Sequence, residues 1–159
     1  MGNLDFTIEP ARAEDAQGVI RLIGRVYAEY GFTFEPADEL PDLLTFTQHY
    51  VAPYGTFFVI RHYGQVVGSV GVERLGESSA ELHRLYLDAD LRGRGLGRAL
   101  VEAAIAWCRA EGMTHLLLWS DTRFERAHVL YKRMGFQRTG ERALNDINYT
   151  HEYRYERSL

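Results

Sequence analysis

The chain is short of cysteine and of long apolar runs, and each shortage removes a class of protein. Cys108 is the sole cysteine in 159 residues, so no internal disulfide can form and a reducing, cytoplasmic setting is expected. No apolar stretch approaches the roughly 20 residues that span a bilayer. The opening MGNLDFTIEP lacks the basic and apolar segments of a secretory signal, and Phe6 stands where a myristoylation signal carries Ser or Thr. A soluble protein with no membrane partner is expected. Repeats, low-complexity tracts and Pro/Gly/Ser-rich linkers are missing, so residues 1–159 read as one domain. A chain of this length buries roughly 70% of its extended surface, enough for a core and a small-molecule site. Basic charge is not in excess either. A net charge of −4 gives no general attraction for nucleic acid, and the arginine cluster described below has no second basic stripe to extend it.

Two kinds of catalytic apparatus are also missing. His49, His62, His115, His128 and His151 show no ligand spacing such as H-E-x-x-H, so no metal site is expected. In 68-GSVG-71 the serine falls one place early for a G-x-S-x-G nucleophile elbow. Cys108 lies among Ala104, Ile105 and Trp107 on a helical pattern and reads as packing.

What the chain does contain is a regular alternation of short elements. Residues 4–10 read as a strand ended by Pro10, and Ala16, Val19, Ile20, Ile23, Val26 and Tyr27 recur at helical spacing over 14–29. Residues 30–55, interrupted by Pro36, Pro41 and Pro53, predict one short helix. Three β-rich runs at 56–62, 66–74 and 80–87 are joined by tight turns and predict an antiparallel meander. A helix over 95–110, a strand over 114–120, a helix over 124–134 and two strands over 136–142 and 150–157 complete the pattern. This order predicts an α+β sheet with helices on its faces.

The segment 92-RGRGLGRAL-100 places arginines where a helix already presents the positive end of its dipole. Neither the dinucleotide fingerprint G-x-G-x-x-G nor the P-loop G-x-x-x-x-G-K-[ST] fits it. Arg-x-x-Gly-x-Gly does fit, as Arg92, Gly95 and Gly97, between a strand and an amphipathic helix. Unpaired N–H groups at a helix start attract anions, and glycine lets the backbone approach a large ligand. A pyrophosphate would relieve the charge conflict; a solvent-facing turn whose arginines pair with Asp88 or Asp90 is the alternative.

The stretch 82-LHRLYLDADLRGRGLGRALVEAAIAW-107 resembles the acetyl-CoA motif of the GNAT N-acetyltransferase family, and 127-AHVLYKRMGF-136 resembles its A-x-x-L-Y-x-x-x-G-F motif. The resemblance implies a mixed, mostly antiparallel sheet of six to seven strands with helices on both faces, a three-layer α/β/α arrangement with splayed central strands. It implies acetyl-CoA as cosubstrate, without metal, and an amine acceptor on a small molecule or peptide. By resemblance, Leu85, Tyr86 and Leu87 meet the pantetheine arm, and Arg92, Gly93, Arg94, Gly95, Leu96, Gly97 and Arg98 surround the pyrophosphate. Ala127 and Phe124 meet the coenzyme further along, although many relatives carry Asn at the position of Phe124, where a polar contact gives way to an apolar wall. Tyr131 matches the family tyrosine near the coenzyme sulfur. On the residues alone it belongs to the helical stripe Phe124, Ala127, Tyr131 and Met134, and such a stripe is more often plain core. Relatives often pair through their C-terminal strands, so a homodimer is implied.

Direct attack by an amine needs a group that takes its proton. Glu81 and His83 alternate onto one strand face if no bulge separates them; Glu81 is preferred as base, with His83 beside it and Glu73 on the neighbouring strand next. Residues 30–54 and the turn 142–152 flank the acceptor side, bringing Glu29, Glu35, Asp38, Glu39, Asn145, Asp146 and several aromatics, a rim suited to a cationic amine. A non-catalytic acyl-CoA-binding or sensor module of the same fold is the alternative function.

Overall fold

The computed structural model describes residues 6–159. Its frame is one seven-stranded sheet of order β1-β2-β3-β4-β5-β7-β6. The strands are β1 (Ile8–Pro10), β2 (Gly55–His62), β3 (Gln65–Arg74), β4 (Ser79–Leu87), β5 (His115–Asp121), β6 (Gln137–Ala143) and β7 (His151–Ser158). Every neighbouring pair is antiparallel except β4 and β5, which run parallel. The expected strand over 4–10 is present from Ile8; Met1, Gly2 and residues 4 and 5 lie outside the described residues.

Helices cover both faces. On one, α1 (Ala16–Tyr30) buries Val19, Leu22, Ile23 and Val26 against Phe57, Val59 and Val66, and ends at Gly31 with φ 70°. On the other, α5 (Leu96–Ala110) buries Leu100, Val101, Ala104, Ile105 and Cys108 against Ile60, Val72, Leu82 and Leu116. Spacings of three and four place each set on a single helical stripe. Helix α6 (Glu125–Arg133) joins this second layer through Tyr131. Gly135, at φ 87°, closes it, with the Phe136 N–H donating to the Tyr131 carbonyl at 3.0 Å.

Between α1 and β2 the sequence predicts one short helix, and the structure has three single turns: α2 (Pro36–Glu39), α3 (Pro41–Leu44) and α4 (Phe46–His49). Pro36 and Pro41 each occupy a first helical position. A proline fits there and blocks any continuation from the preceding turn, which divides the segment.

Two irregularities open the sheet where the site lies. The β3–β4 register jumps between Ser69↔Tyr86 and Gly71↔His83, and Arg84 sits in the bulge at φ 53°. The buried Ser69 hydroxyl donates to the Arg84 carbonyl at 2.7 Å and holds it. The extra residue reverses side-chain parity. Ala80 and Leu82 face α5 before the bulge, and Leu85 and Leu87 face it afterwards. Second, β4 and β5 pair only from Ser79↔His115 to Leu82↔Leu118. Past those residues the strands part, as the resemblance implies.

Candidate active site

The parting strands open into a cavity of about 900 Å³. Its walls come from β4 on both sides of the bulge, the end of β5, the Arg92–Arg98 loop, α6, the end of α1 and the β6–β7 turn. Of the residues read from sequence, Glu81, His83, Leu85, Tyr86, Leu87, Arg92, Gly93, Gly95, Leu96, Gly97, Arg98, Phe124, Ala127 and Tyr131 line it. Arg94 does not.

At the loop, Gly93 and Gly95 take φ 80° and 78°, and a Cβ on either would meet nothing within 4 Å. The first helical bond runs from the Ala99 N–H to the Gly95 carbonyl at 3.0 Å, so the amides of Leu96, Gly97 and Arg98 have no carbonyl one turn back. That cradle fits a phosphate group. The arginine side chains act differently from the sequence expectation. Arg92 makes a two-pronged pair with Glu29 at 2.6 and 2.8 Å and also donates to the Leu87 carbonyl at 3.0 Å. Arg98 pairs with Glu102 one turn along at 2.9 Å, and Asp88 holds Arg25, not a loop arginine, at 2.9 Å. Carboxylates of the chain therefore already offset part of the charge at this helix start, and the loop's anion-binding capacity resides in its amides.

The catalytic candidates share the cavity. The bulge falls after His83, so Glu81 and His83 stay on one face. Burial raises the Glu81 carboxyl above its ordinary value, against the opposing pull of His83 and Arg142. Glu73, its cross-strand partner, is lowered by the His83 ring first and the His49 ring next, with burial opposing. Tyr131 packs its ring 5.7 Å from Phe136 and 5.6 Å from Tyr155. Burial, then the neighbouring Tyr86 and Tyr155, pushes its phenol above the ordinary tyrosine value, so it holds its proton throughout the neutral range.

On the acceptor side Asp38, Glu39 and Asp146 line the cavity as expected; Glu35 and Asn145 do not, and Glu29 is engaged by Arg92. Phe124 enters an aromatic group, 5.0 Å from Tyr30, 6.0 Å from Phe32 and 6.2 Å from Tyr86. Sequence reasoning missed Asn148. Its amide donates to the Thr33 carbonyl at 2.9 Å and to Glu39 at 3.0 Å, and its oxygen accepts from the Thr33 N–H at 2.8 Å. This fastens the β6–β7 turn to the segment before α2 across 115 residues of chain, and no local pattern marks such a contact. Arg84 was also missed: it donates to both Asp42 oxygens at 3.1 and 2.6 Å beneath the cavity wall.

The family model for the Acetyltransferase (GNAT) family matches residues 23–136, which hold the loop, the splay and Tyr131 together. The chain belongs to the GNAT acetyltransferase family. Among curated relatives it is 34% identical over 128 residues to N-acetyltransferase 8F1 of Rattus norvegicus, covering 77% of this chain and 56% of that protein. It is 30% identical over 129 residues to the uncharacterized N-acetyltransferase YjgM of Escherichia coli, covering 78% and 77%. The chain spans about half the length of the rodent relatives it matches. A GNAT-family acetyltransferase structure from Staphylococcus aureus superposes with a TM-score of 0.84 at 21% identity, covering 97% of this chain and 99% of that one. An acetyltransferase from Streptococcus agalactiae gives 0.83 at 20%, covering 99% and 100%. This GNAT chain therefore shares its complete architecture with solved acetyltransferases. No helix is long and apolar enough to cross a membrane, and no group of three metal-ligating side chains occurs among the described residues.

Proposed function

We propose that this GNAT protein is an acetyl-CoA-dependent N-acetyltransferase in which a primary amine, on a small molecule or a peptide, attacks the thioester directly. The observation that carries this reading is the convergence on one cavity of an amide cradle at Gly95–Arg98, a carboxylate with an imidazole beside it at Glu81 and His83, and the Tyr131 phenol. Acetyl-CoA, when bound, supplies a thioester carbonyl for the amine and a sulfur that departs. The chain's own groups do the rest. The Leu96, Gly97 and Arg98 amides hold the pyrophosphate, and β4 beyond Leu82, having lost its β5 neighbour, borders the pantetheine arm. Glu81 takes the amine proton, which the raised affinity of its carboxyl favours. Tyr131 keeps a proton at its phenolic oxygen for the sulfur. Asp38, Glu39 and Asp146 beside Tyr27 and Tyr30 favour a cationic acceptor.

Residues 1–159 act as one domain in this reading, supported by two core layers packed on one sheet. Strand β6, an edge strand exposed along nearly its whole length, offers a pairing edge for a homodimer. The single, buried Cys108 accords with cytoplasmic residence.

The test is an amine panel with thiol release as readout, run on the wild type, Tyr131→Phe and Gly95→Glu, beside calorimetry with acetyl-CoA. We expect at least one amine to accelerate thiol release in the wild type, Tyr131→Phe to bind acetyl-CoA with little turnover, and Gly95→Glu to lose binding. Binding of acetyl-CoA with no amine above background hydrolysis would replace the enzyme with the sensor module.

A further inference from the structure

We propose that Glu73 and His49 form a proton exit behind the acceptor wall of the cavity, receiving through His83 the proton that acyl transfer releases. The inference rests on the acyl-transfer reading above. Glu81 and His83 line the cavity; Glu73 and His49 do not. His83 Nε2 lies 3.7 Å from Glu81 Oε2 and 3.4 Å from Glu73 Oε1. That nitrogen is buried and makes no hydrogen bond among the described residues, so it stands between the two carboxylates without being fixed to either. Glu73 Oε2 is 2.7 Å from His49 Nδ1, and the His49 side chain is 31% exposed on α4. Four titratable groups thus run in series along one face of the sheet, from the cavity wall to the partly exposed ring on α4.

Close packing builds this series. Gly55, beside Glu73 on β2, lies so near the end of α4 that a Cβ there would stand 2.5 Å from the His49 carbonyl oxygen. Gly71, opposite His83, would place a Cβ 2.8 Å from the rings of Phe57 and Tyr50. Two positions without side chains let α4 settle onto the sheet and bring His49 within reach of Glu73. The groups facing His83 are Glu81 and Arg84 from its own strand, Glu73 from β3, Asp42 from α3 and Tyr50 from α4. Those facing His49 are Glu73 and Tyr50.

The proton balance defines the need for an exit. An ammonium acceptor loses two protons as its nitrogen bonds the acetyl carbon and the carbon–sulfur bond breaks. One proton is equivalent to the one Tyr131 gives the departing sulfur, which water returns to the phenol; the other must reach solvent. It passes from the nitrogen to the Glu81 carboxylate, then to His83 Nε2 and on to Glu73 as the unfixed ring swings to close the 3.7 and 3.4 Å gaps, and last to His49, which yields it to water. Glu73 keeps its charge between turnovers because both imidazoles favour the anion. Glu81, by contrast, holds a proton readily. Release to bulk water at His49 draws the proton outward, against the opposite shifts of the two carboxylates.

The test uses Glu73→Gln and His49→Gln. In the free protein, the ring-proton NMR resonances of both His49 and His83 should move in Glu73→Gln, because the carboxylate beside each ring is gone. With the best amine from the panel, His49→Gln should lower kcat roughly tenfold, leave KM for acetyl-CoA unchanged, and recover on addition of imidazole. A His83 ring resonance unaltered by Glu73→Gln overturns the exit whatever the activity. An unchanged kcat, or a loss that imidazole does not repair, overturns it too. Ring resonances that respond to Glu73→Gln, beside a wild type that acetylates no amine, overturn the acyl-transfer reading instead.

Discussion

Tyr131 carries two structural loads that a single atom separates. Its ring belongs to the core with Phe136 and Tyr155, while the residue also lines the cavity. Tyr131→Phe keeps the ring and removes the proton, so we expect kcat to fall about 100-fold with acetyl-CoA affinity unchanged. Thiol-release kinetics beside calorimetry check this. Glu81 gives a pH signature with a definite sign. Its carboxyl is raised by burial, so the base form appears only as pH climbs through a value above the ordinary glutamate range, and kcat/KM should fall on acidification through that raised value. The linkage to stability has the opposite sense. A carboxyl raised in the folded state stabilises below its unfolded value, and that contribution is lost as pH rises through the folded value. At pH 7 the buried anion is therefore a cost, and Glu81→Gln should abolish the acidic limb while leaving stability equal or higher. A urea transition that moves down at pH 7 would contradict this account of Glu81.

At the level of elements, the bulge in β4 and the short turns α2 to α4 shape the site. Gly71→Ala tests how tightly the two are joined, since its Cβ would press on Phe57 and Tyr50 at 2.8 Å. Neither ring can yield as a flexible chain end would, so we expect a loss of about 1–3 kcal/mol in urea unfolding. Gly76→Ala, with nothing within 4 Å, should change stability by less than about 0.5 kcal/mol. The regular elements were legible in the sequence because their apolar spacing is local: α1, α5 and β2 through β5 all fall within a residue or two of the expected ranges. The bulge was not legible, because Arg84 in a left-handed conformation is stabilised by Ser69 fifteen residues away. The three short turns, two of them led by proline, merged into one expected helix, because Leu40, Leu43 and Tyr50 keep helical spacing across the breaks. The shared face of Glu81 and His83 was readable from alternation in β4, whereas the partners of Arg92 and Asn148 depend on contacts 63 and 115 residues apart.

For the whole molecule the decisive quantity is how far the coenzyme stabilises the fold. The net charge of −4 opposes an anionic ligand, and the carboxylate partners of Arg92 and Arg98 remove much of the loop's side-chain attraction. Binding then rests on the backbone amides, on Arg126 and Arg133 of α6, which also line the cavity, and on the walls of that roughly 900 Å³ space. A ligand held at 100 times its dissociation constant adds about 2.7 kcal/mol to the folded state. For a chain of this size each kcal/mol is worth about 2–4 °C, so acetyl-CoA should raise Tm by roughly 5–10 °C. Coenzyme A without the acetyl group should give a similar shift, because the cradle and the β4 edge engage parts the two ligands share. Arg94→Ala should preserve most of the shift, since that side chain lies off the cavity, whereas Gly95→Glu should lose nearly all of it by straining the left-handed position and placing an anion at the amides. A shift that disappears in Arg94→Ala but survives in Gly95→Glu would mean that side-chain charge, and not the open backbone of the loop, holds the coenzyme.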